Sequence, residues 1–245
     1  GSCFADNIGK RFEEEKFRAV VNPFGVMYNP VSVLHTARKM ADTPFDTAVF
    51  TLGTNHVYVE RATGEIVDNC QKRPQREFEE RELTIEECAD ALREAISLLR
   101  TSNPQLRVIL TVSPIRYAKY GYHESQLSKA VLLLAADKLT KEANGEIYYF
   151  PAYEIVNDEL RDYRFYKADM LHPNEQAVAY IWEQLVATCF SATAKQFLKE
   201  WRPIKEALAH RPFHPEAATY QEFLKKTKEA ARLLKQKYPN LELKE

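Results

Sequence analysis

Cysteine is scarce in this chain: Cys3, Cys70, Cys88 and Cys189 are the four in 245 residues, and no two have a paired spacing. That argues against a zinc site and a disulfide scaffold, and it fits a reducing compartment, here the cytoplasm. Charge of one sign is also missing, since 34 basic residues face 35 acidic ones for a formal net charge of −1. Bulk electrostatics therefore points to neither nucleic acid nor a membrane surface as partner. No apolar run approaches the length of a membrane span, and Val131 to Ala136 falls far short of it. There is no internal repeat and no low-complexity tract. The length suits one large α/β domain or a domain with an appendage, and either can bury a core.

Apolar runs and helical periodicities alternate along the chain. An amphipathic helix follows Ser2, with Phe4, Ile8, Phe12 and Phe17 inward and Glu13, Glu14, Glu15 and Lys16 outward. Arg18 to Val21 reads as a short strand running into the turn Asn22-Pro23-Phe24-Gly25. Asn29-Pro30 offers an N-cap and first-turn proline for a helix to about Met40. Thr47 to Leu52 is an uncharged, buried-type strand that runs into Gly53-Thr54-Asn55-His56. Val57–Glu60 and Glu65–Val67 form a hairpin around Thr63-Gly64, and residues 68–82 read as a charged surface loop. Thr84-Ile85-Glu86-Glu87 is a capping box, and the helix it opens turns Ala91, Ala95, Leu98 and Leu99 inward.

Arg107 to Val112 is the clearest buried strand and leads into Ser113-Pro114-Ile115-Arg116. A helix over about 124–142 places Leu127, Val131, Leu134 and Leu139 inward, and Asn144-Gly145 stops it. Ile147 to Phe150 is the last strand. The alternation predicts a parallel sheet with helices on both faces and ligands bound beyond the carboxyl ends of the strands. A serine placed like Ser2 is expected to follow a strand, for which the sequence as it stands has no residues. Residues 191–245 differ in character, carrying 12 Lys/Arg against 7 Asp/Glu, and predict two helices split by Arg211-Pro212-Phe213-His214-Pro215. Acids interspersed among the basic residues make this a solvated helical extension packed on the 1–190 domain, rather than a nucleic-acid surface.

The stretch with the most chemistry is Lys167-Ala168-Asp169-Met170-Leu171-His172-Pro173-Asn174. Ala177, Val178, Ile181, Leu185 and Val186 then recur at three- and four-residue steps, so Pro173 reads as the first residue of a helix with His172 at its mouth. Asp169 can accept from one ring nitrogen and fix the tautomer, which is what a general base for a hydroxyl nucleophile requires. A bare D-x-x-H recurs by chance, with the aspartate capping a turn and the histidine sitting in a loop. Ser2, at the start of its helix, has unbonded backbone N–H groups beside it, half of an oxyanion hole.

Gly1-Ser2-Cys3-Phe4-Ala5 is similar to the signature for which the GSCFA domain family is named. Asn22 to Pro30, Ser113 to Arg116, His123-Glu124-Ser125-Gln126-Leu127-Ser128-Lys129-Ala130 and Arg161 through Pro173 also resemble that family, over roughly residues 1–190. GSCFA domains are grouped with SGNH (GDSL-like) hydrolases. The resemblance therefore implies a three-layer, flavodoxin-like parallel sheet and a serine esterase or acylhydrolase apparatus without metal or organic cofactor. It implies Ser2 as nucleophile and Asp169 and His172 as the rest of a triad. Gly53-Thr54-Asn55 matches the first three places of a G-x-N-D block whose asparagine donates to the oxyanion, with His56 where aspartate is usual. Gly25 is a looser match for the glycine of another block. The implied oxyanion hole is thus Ser2, Gly25 and Asn55.

Arg116 and Arg164 are candidates for binding a carboxylate or phosphate on the substrate, against ion pairing with Glu124 or Asp162. His56 is a candidate pocket member. The substrate class expected is an acylated carbohydrate or other small ester. An acyltransferase using the same residues, and a binding or scaffold domain that has lost activity, are the alternatives.

Overall fold

A computed structural model describes residues 1–239 as two compact units. The first comprises Gly1–Asn7 and Val21–Ile181; the second comprises Ile8–Val20 and the chain from Trp182 on. The first helix, α1 (Cys3–Glu14), has residues in both, as does α6 (Glu175–Cys189).

In the first unit, α2 (Pro30–Met40) starts where Asn29 Oδ1 accepts the Ser32 N–H at 2.9 Å. Then come β1 (Thr47–Leu52), β2 (His56–Glu60), β3 (Ile66–Val67) and β4 (Phe78–Glu82). They are followed by α3 (Ile85–Ser102), β5 (Arg107–Val112), α4 (Gly121–Glu142) and β6 (Ile147–Tyr149). A short helix, α5 (Ala152–Glu154), runs on into a π-helical turn over Ile155–Leu160. Thr84 and Glu87 make both bonds of the capping box that the sequence shows, at 3.2 and 2.8 Å.

The sheet that matters for function is parallel and three-stranded in the order β1-β5-β6, with Thr47 opposite Arg107 and Val108 opposite Ile147. Its buried strands and the inward stripes of α2, α3 and α4 share one core, which includes Leu34, Leu52, Leu92, Leu110, Leu132 and Leu139. A second, antiparallel sheet, β3-β2-β4, is the excursion after β1.

The structure differs from the sequence reading in four places. Residues 18–21 form no strand; β-branched side chains favour one, but no neighbouring strand pairs with them, and Val20 is left 69% exposed. The 68–82 run is not all loop, because β4 lies in it. Only Phe78 of that strand turns inward, so a charged edge strand reads as a solvated loop. α4 turns Ser125, Ser128, Lys129, Leu132, Ala135, Ala136 and Leu139 inward, while Leu127 and Leu134 stay about half exposed. The apolar pattern failed there because three polar residues occupy the inward stripe. Finally, α6 begins at Glu175, with Asn174 Oδ1 accepting the Ala177 N–H at 3.0 Å, and Pro173 instead bridges antiparallel to Tyr166.

In the second unit, α7 (Ala192–Ala209) and α8 (Ala218–Lys237) are the two helices expected on either side of the Arg211–Pro215 segment. Phe197, Trp201 and Leu234 form its core, ringed by Phe17, Leu198, Ile204 and Tyr238. Lys205 pairs with Glu15 at 2.6 Å and Lys237 with Glu200 at 2.6 Å. Residues 240–245 of the helical extension lie outside the described residues. Among the described residues, no helix is long and apolar enough to cross a membrane.

Candidate active site

The Asp169–His172 spacing closes a tight loop. The Asn174 N–H donates to Phe165 O at 2.8 Å and the Lys167 N–H to His172 O at 2.7 Å, and Met170 takes the left-handed conformation at φ 60°. Asp169 Oδ1 accepts the backbone N–H groups of Leu171 and His172 at 2.8 and 3.0 Å, and its Oδ2 meets His172 Nδ1 at 2.7 Å. The two backbone donors, His172 first and then Leu171, and after them the His172 ring, hold the Asp169 carboxyl down at about 2. A carboxylate on Nδ1 assigns the proton to that nitrogen and leaves Nε2 as an acceptor.

This loop is tied to the end of β5. The Arg116 N–H donates to Leu171 O at 3.1 Å, and its guanidinium donates to Met170 O at 3.0 Å. The same guanidinium lies 4.2 Å from the Tyr122 ring centroid and 5.6 Å from those of Tyr163 and Tyr166. Arg116 therefore pairs with carbonyls and rings, and among the described residues no ion pair joins it to Glu124 or Asp162. The Arg164 guanidinium covers the Phe165 ring at 4.9 Å, while Asp162 accepts the Arg164 backbone N–H.

Ser2 sits against the end of β1. Its N–H donates to Thr51 O and Oγ1 at 3.2 and 3.1 Å, and its fully buried Oγ accepts the Phe4 N–H at 3.3 Å as a cap on α1. Gly1 O accepts the Met27 N–H at 2.8 Å, and a side chain on Gly1 would run into Thr51 Oγ1. The segment carrying Gly25 thus runs beside the Gly-Ser pair. Gly25 itself takes φ 90° and gives its N–H to Asn22 O at 2.8 Å.

Beyond β1, the Gly53 and Thr54 N–H groups share Tyr28 O at 2.8 and 2.9 Å. Asn55 is buried, with its Nδ2 donating to Leu83 O at 2.8 Å, the Leu83 N–H returning to Asn55 O at 2.9 Å, and its Oδ1 left without a partner. His56 stacks on Tyr120 with centroids 3.8 Å apart, and burial pulls its imidazole below the ordinary value.

The structure therefore pairs Asp169 with His172 and sets Ser2 and the Gly53–Asn55 block at the carboxyl end of β1. Among the described residues, no hydrogen bond joins Ser2 to His172. The N–H groups of Ser2 and Gly25 and the Asn55 amide each donate to an acceptor within the chain. Also among the described residues, no group of three or more His, Cys, Asp and Glu could hold a metal ion.

Gly53 has a steric test. A Cβ there would lie 2.6 Å from Tyr117 Oη and 3.1 Å from Tyr28 O. Gly53→Ala is expected to cost about 1–3 kcal/mol, as overpacking does. It should also shift the Tyr28 carbonyl that both neighbouring amides use. Denaturant unfolding reads the cost, and an unchanged midpoint contradicts it.

Sequence reasoning missed the polar face of α4. Ser125 Oγ accepts the Tyr117 N–H at 3.2 Å, and Ser128 Oγ accepts the Asn55 N–H at 3.0 Å. Lys129 Nζ donates to Gly53 O and Ser113 O at 2.6 and 2.7 Å. The signal was present: three polar residues spaced i, i+3 and i+4 in a stripe that Leu132, Ala135, Ala136 and Leu139 continue inward.

The profile of the GSCFA family matches residues 1–47 and 36–185, and that of the GSCFA domain protein, C-terminal domain, matches residues 201–245. No curated protein matches the sequence. Among solved structures, the chain is similar to a carbohydrate esterase family 3 from Talaromyces cellulolyticus at 14% identity and TM-score 0.42, covering 72% of this chain and 70% of that one. It is also similar to a mutant acetyl esterase with acetate ion at 12% identity and TM-score 0.44, covering 81% of this chain and 92% of that one.

Proposed function

The chain belongs to the GSCFA family, and from that premise we propose that it is a serine-dependent ester hydrolase of the SGNH kind. Its parallel sheet is then the centre of a flavodoxin-like fold, and its substrate an acylated carbohydrate or another small ester. The observation that carries this reading is the Asp169–His172 pair at 2.7 Å, whose carboxylate is fixed by two backbone donors. It gives the imidazole one defined tautomer and one basic nitrogen.

In the proposed reaction, His172 Nε2 takes the proton of Ser2 Oγ as that oxygen bonds to the ester carbonyl carbon. Asp169 stabilises the imidazolium, which then protonates the departing alcohol. Water attacks the acyl-serine and gives its proton to His172, and the imidazolium returns that proton to Ser2 Oγ as the acyl–oxygen bond breaks and the carboxylic acid leaves. The oxyanion draws on the Ser2 and Gly25 N–H groups and the Asn55 amide, each released from its internal acceptor. His56, Arg116 and Arg164 flank the substrate.

Ser2 is fully buried, so acylation requires its cover to open. Hydrogen bonds that tighten only with substrate bound are common in free enzymes. The same burial, with the Ser2 Oγ engaged as a helix cap, is the observation favouring a non-catalytic binding domain. Hydrolysis of a short-chain aryl ester by the purified chain and by Ser2→Ala separates the two. The hydrolase reading expects turnover that Ser2→Ala lowers by about 10³-fold or more. Equal rates leave the binding domain.

A further inference from the structure

The carbonyls just past two adjacent parallel strands pose a bonding problem. The last rung between β1 and β5 is the Ser113 N–H to Leu52 O at 2.8 Å. Gly53 O and Ser113 O lie beyond it, on residues that are themselves buried. A buried carbonyl without a partner is costly. Lys129, 2% exposed, answers both with one amine. Ser128, one residue earlier, holds the Asn55 N–H of the β1 loop, and Ser125 holds the Tyr117 N–H of the β5 loop. That second loop also carries Arg116, whose backbone and guanidinium hold Leu171 O and Met170 O beside His172.

We propose that Lys129 is a positioning residue: it braces the Gly53–Asn55 block against the Ser113–Tyr117 loop, and through Arg116 it sets where the Asp169–His172 pair stands. Burial pulls its ammonium down to about 7, and among the described residues no acid pairs with it. The brace does not need the charge, because a neutral amine has two N–H groups for two carbonyls. The Tyr117 ring, 5.1 Å from Nζ, closes off a further side.

The kinetic part of this proposal rests on the hydrolase reading; the structural part does not. The test compares Lys129→Met, which keeps length and apolar stem but donates nothing, with Leu132→Ala, an apolar deletion on the same helix face. Two readouts are taken: kcat and KM on an aryl ester, and the ¹⁵N resonances of the His172 ring. Lys129→Met is expected to lower kcat by about 10²-fold with KM within about twofold, the pattern of lost transition-state geometry. It should also move the His172 ring signals. Leu132→Ala should lower the melting temperature yet leave kcat within about twofold and those signals in place.

Ser128→Ala, a milder change in the same brace, is expected to show the Lys129→Met pattern at about 10-fold in kcat, and it decides the matter if Lys129→Met does not fold. Unmoved His172 signals in these variants, or the same changes in Leu132→Ala, overturn the proposal. A wild type without esterase activity removes the hydrolase reading, while the ring signals still decide the role of Lys129.

Discussion

His172→Ala is expected to lower kcat/KM for an aryl ester by about 10⁴-fold, the scale on which loss of a triad member is felt. The imidazole is half-buried on a loop whose shape is held by backbone bonds and by Arg116. Its removal should therefore leave the melting temperature within a few degrees. Asp169→Asn carries the same prediction by another route. An amide in place of Oδ2 donates where His172 Nδ1–H now donates, so the proton moves to Nε2 and the base is lost. Residual activity within tenfold of wild type in either variant contradicts the assignment.

The pH consequence follows from Asp169, whose folded-state value near 2 lies below the ordinary 3.8. The stabilisation from its pairing is complete above pH 3.8 and is lost as pH falls toward 2. An acid limb of the rate profile near neutrality would therefore report a group other than Asp169.

Phe4→Ala should be the most destabilising single change near the site. Phe4 is 1% exposed, and its own N–H is the donor to Ser2 Oγ. Burying that ring fixes the first turn of α1, and with it the serine, against Thr51. Phe-to-Ala changes in cores cost about 3–5 kcal/mol. In a unit of this size that is a melting-temperature drop on the order of 10 °C. Phe213, 99% exposed, is the control, and Phe213→Ala should stay within about 0.5 kcal/mol of wild type. A loss below about 1 kcal/mol for Phe4→Ala would show that the ring does not anchor the turn.

Much of the parallel sheet could be read in advance, because β1, β5 and β6 are largely apolar runs, charged only at Arg107, with clear stops around them. The capping box at Thr84 and the Asn29-Pro30 start are local chemistry, so they too were legible. The D-x-x-H contact spans only three residues, yet spacing alone did not imply it, because a bare D-x-x-H recurs by chance; the resemblance to the GSCFA family did. What escaped the sequence depends on distant partners. Residues 18–21 have strand propensity but no neighbouring strand. β4 hides in a charged run because its partner β2 lies some twenty residues upstream. The inward face of α4 is polar because Gly53 and Ser113, 76 and 16 residues away, need a donor there. Period-3.6 reasoning assigns such a face to solvent, which is how Lys129 was missed although it stands in a motif already singled out. The site's oxyanion donors were likewise read as available, when each has an acceptor that only the folded chain supplies.

The most direct measurement is covalent labelling by a fluorophosphonate probe followed by peptide mass spectrometry, which tests nucleophilicity without knowledge of the substrate. The account predicts stoichiometric modification of Ser2, absent in Ser2→Ala and slowed at least about 100-fold in His172→Ala. A wild-type chain that stays unlabelled, or one labelled at another residue, contradicts it.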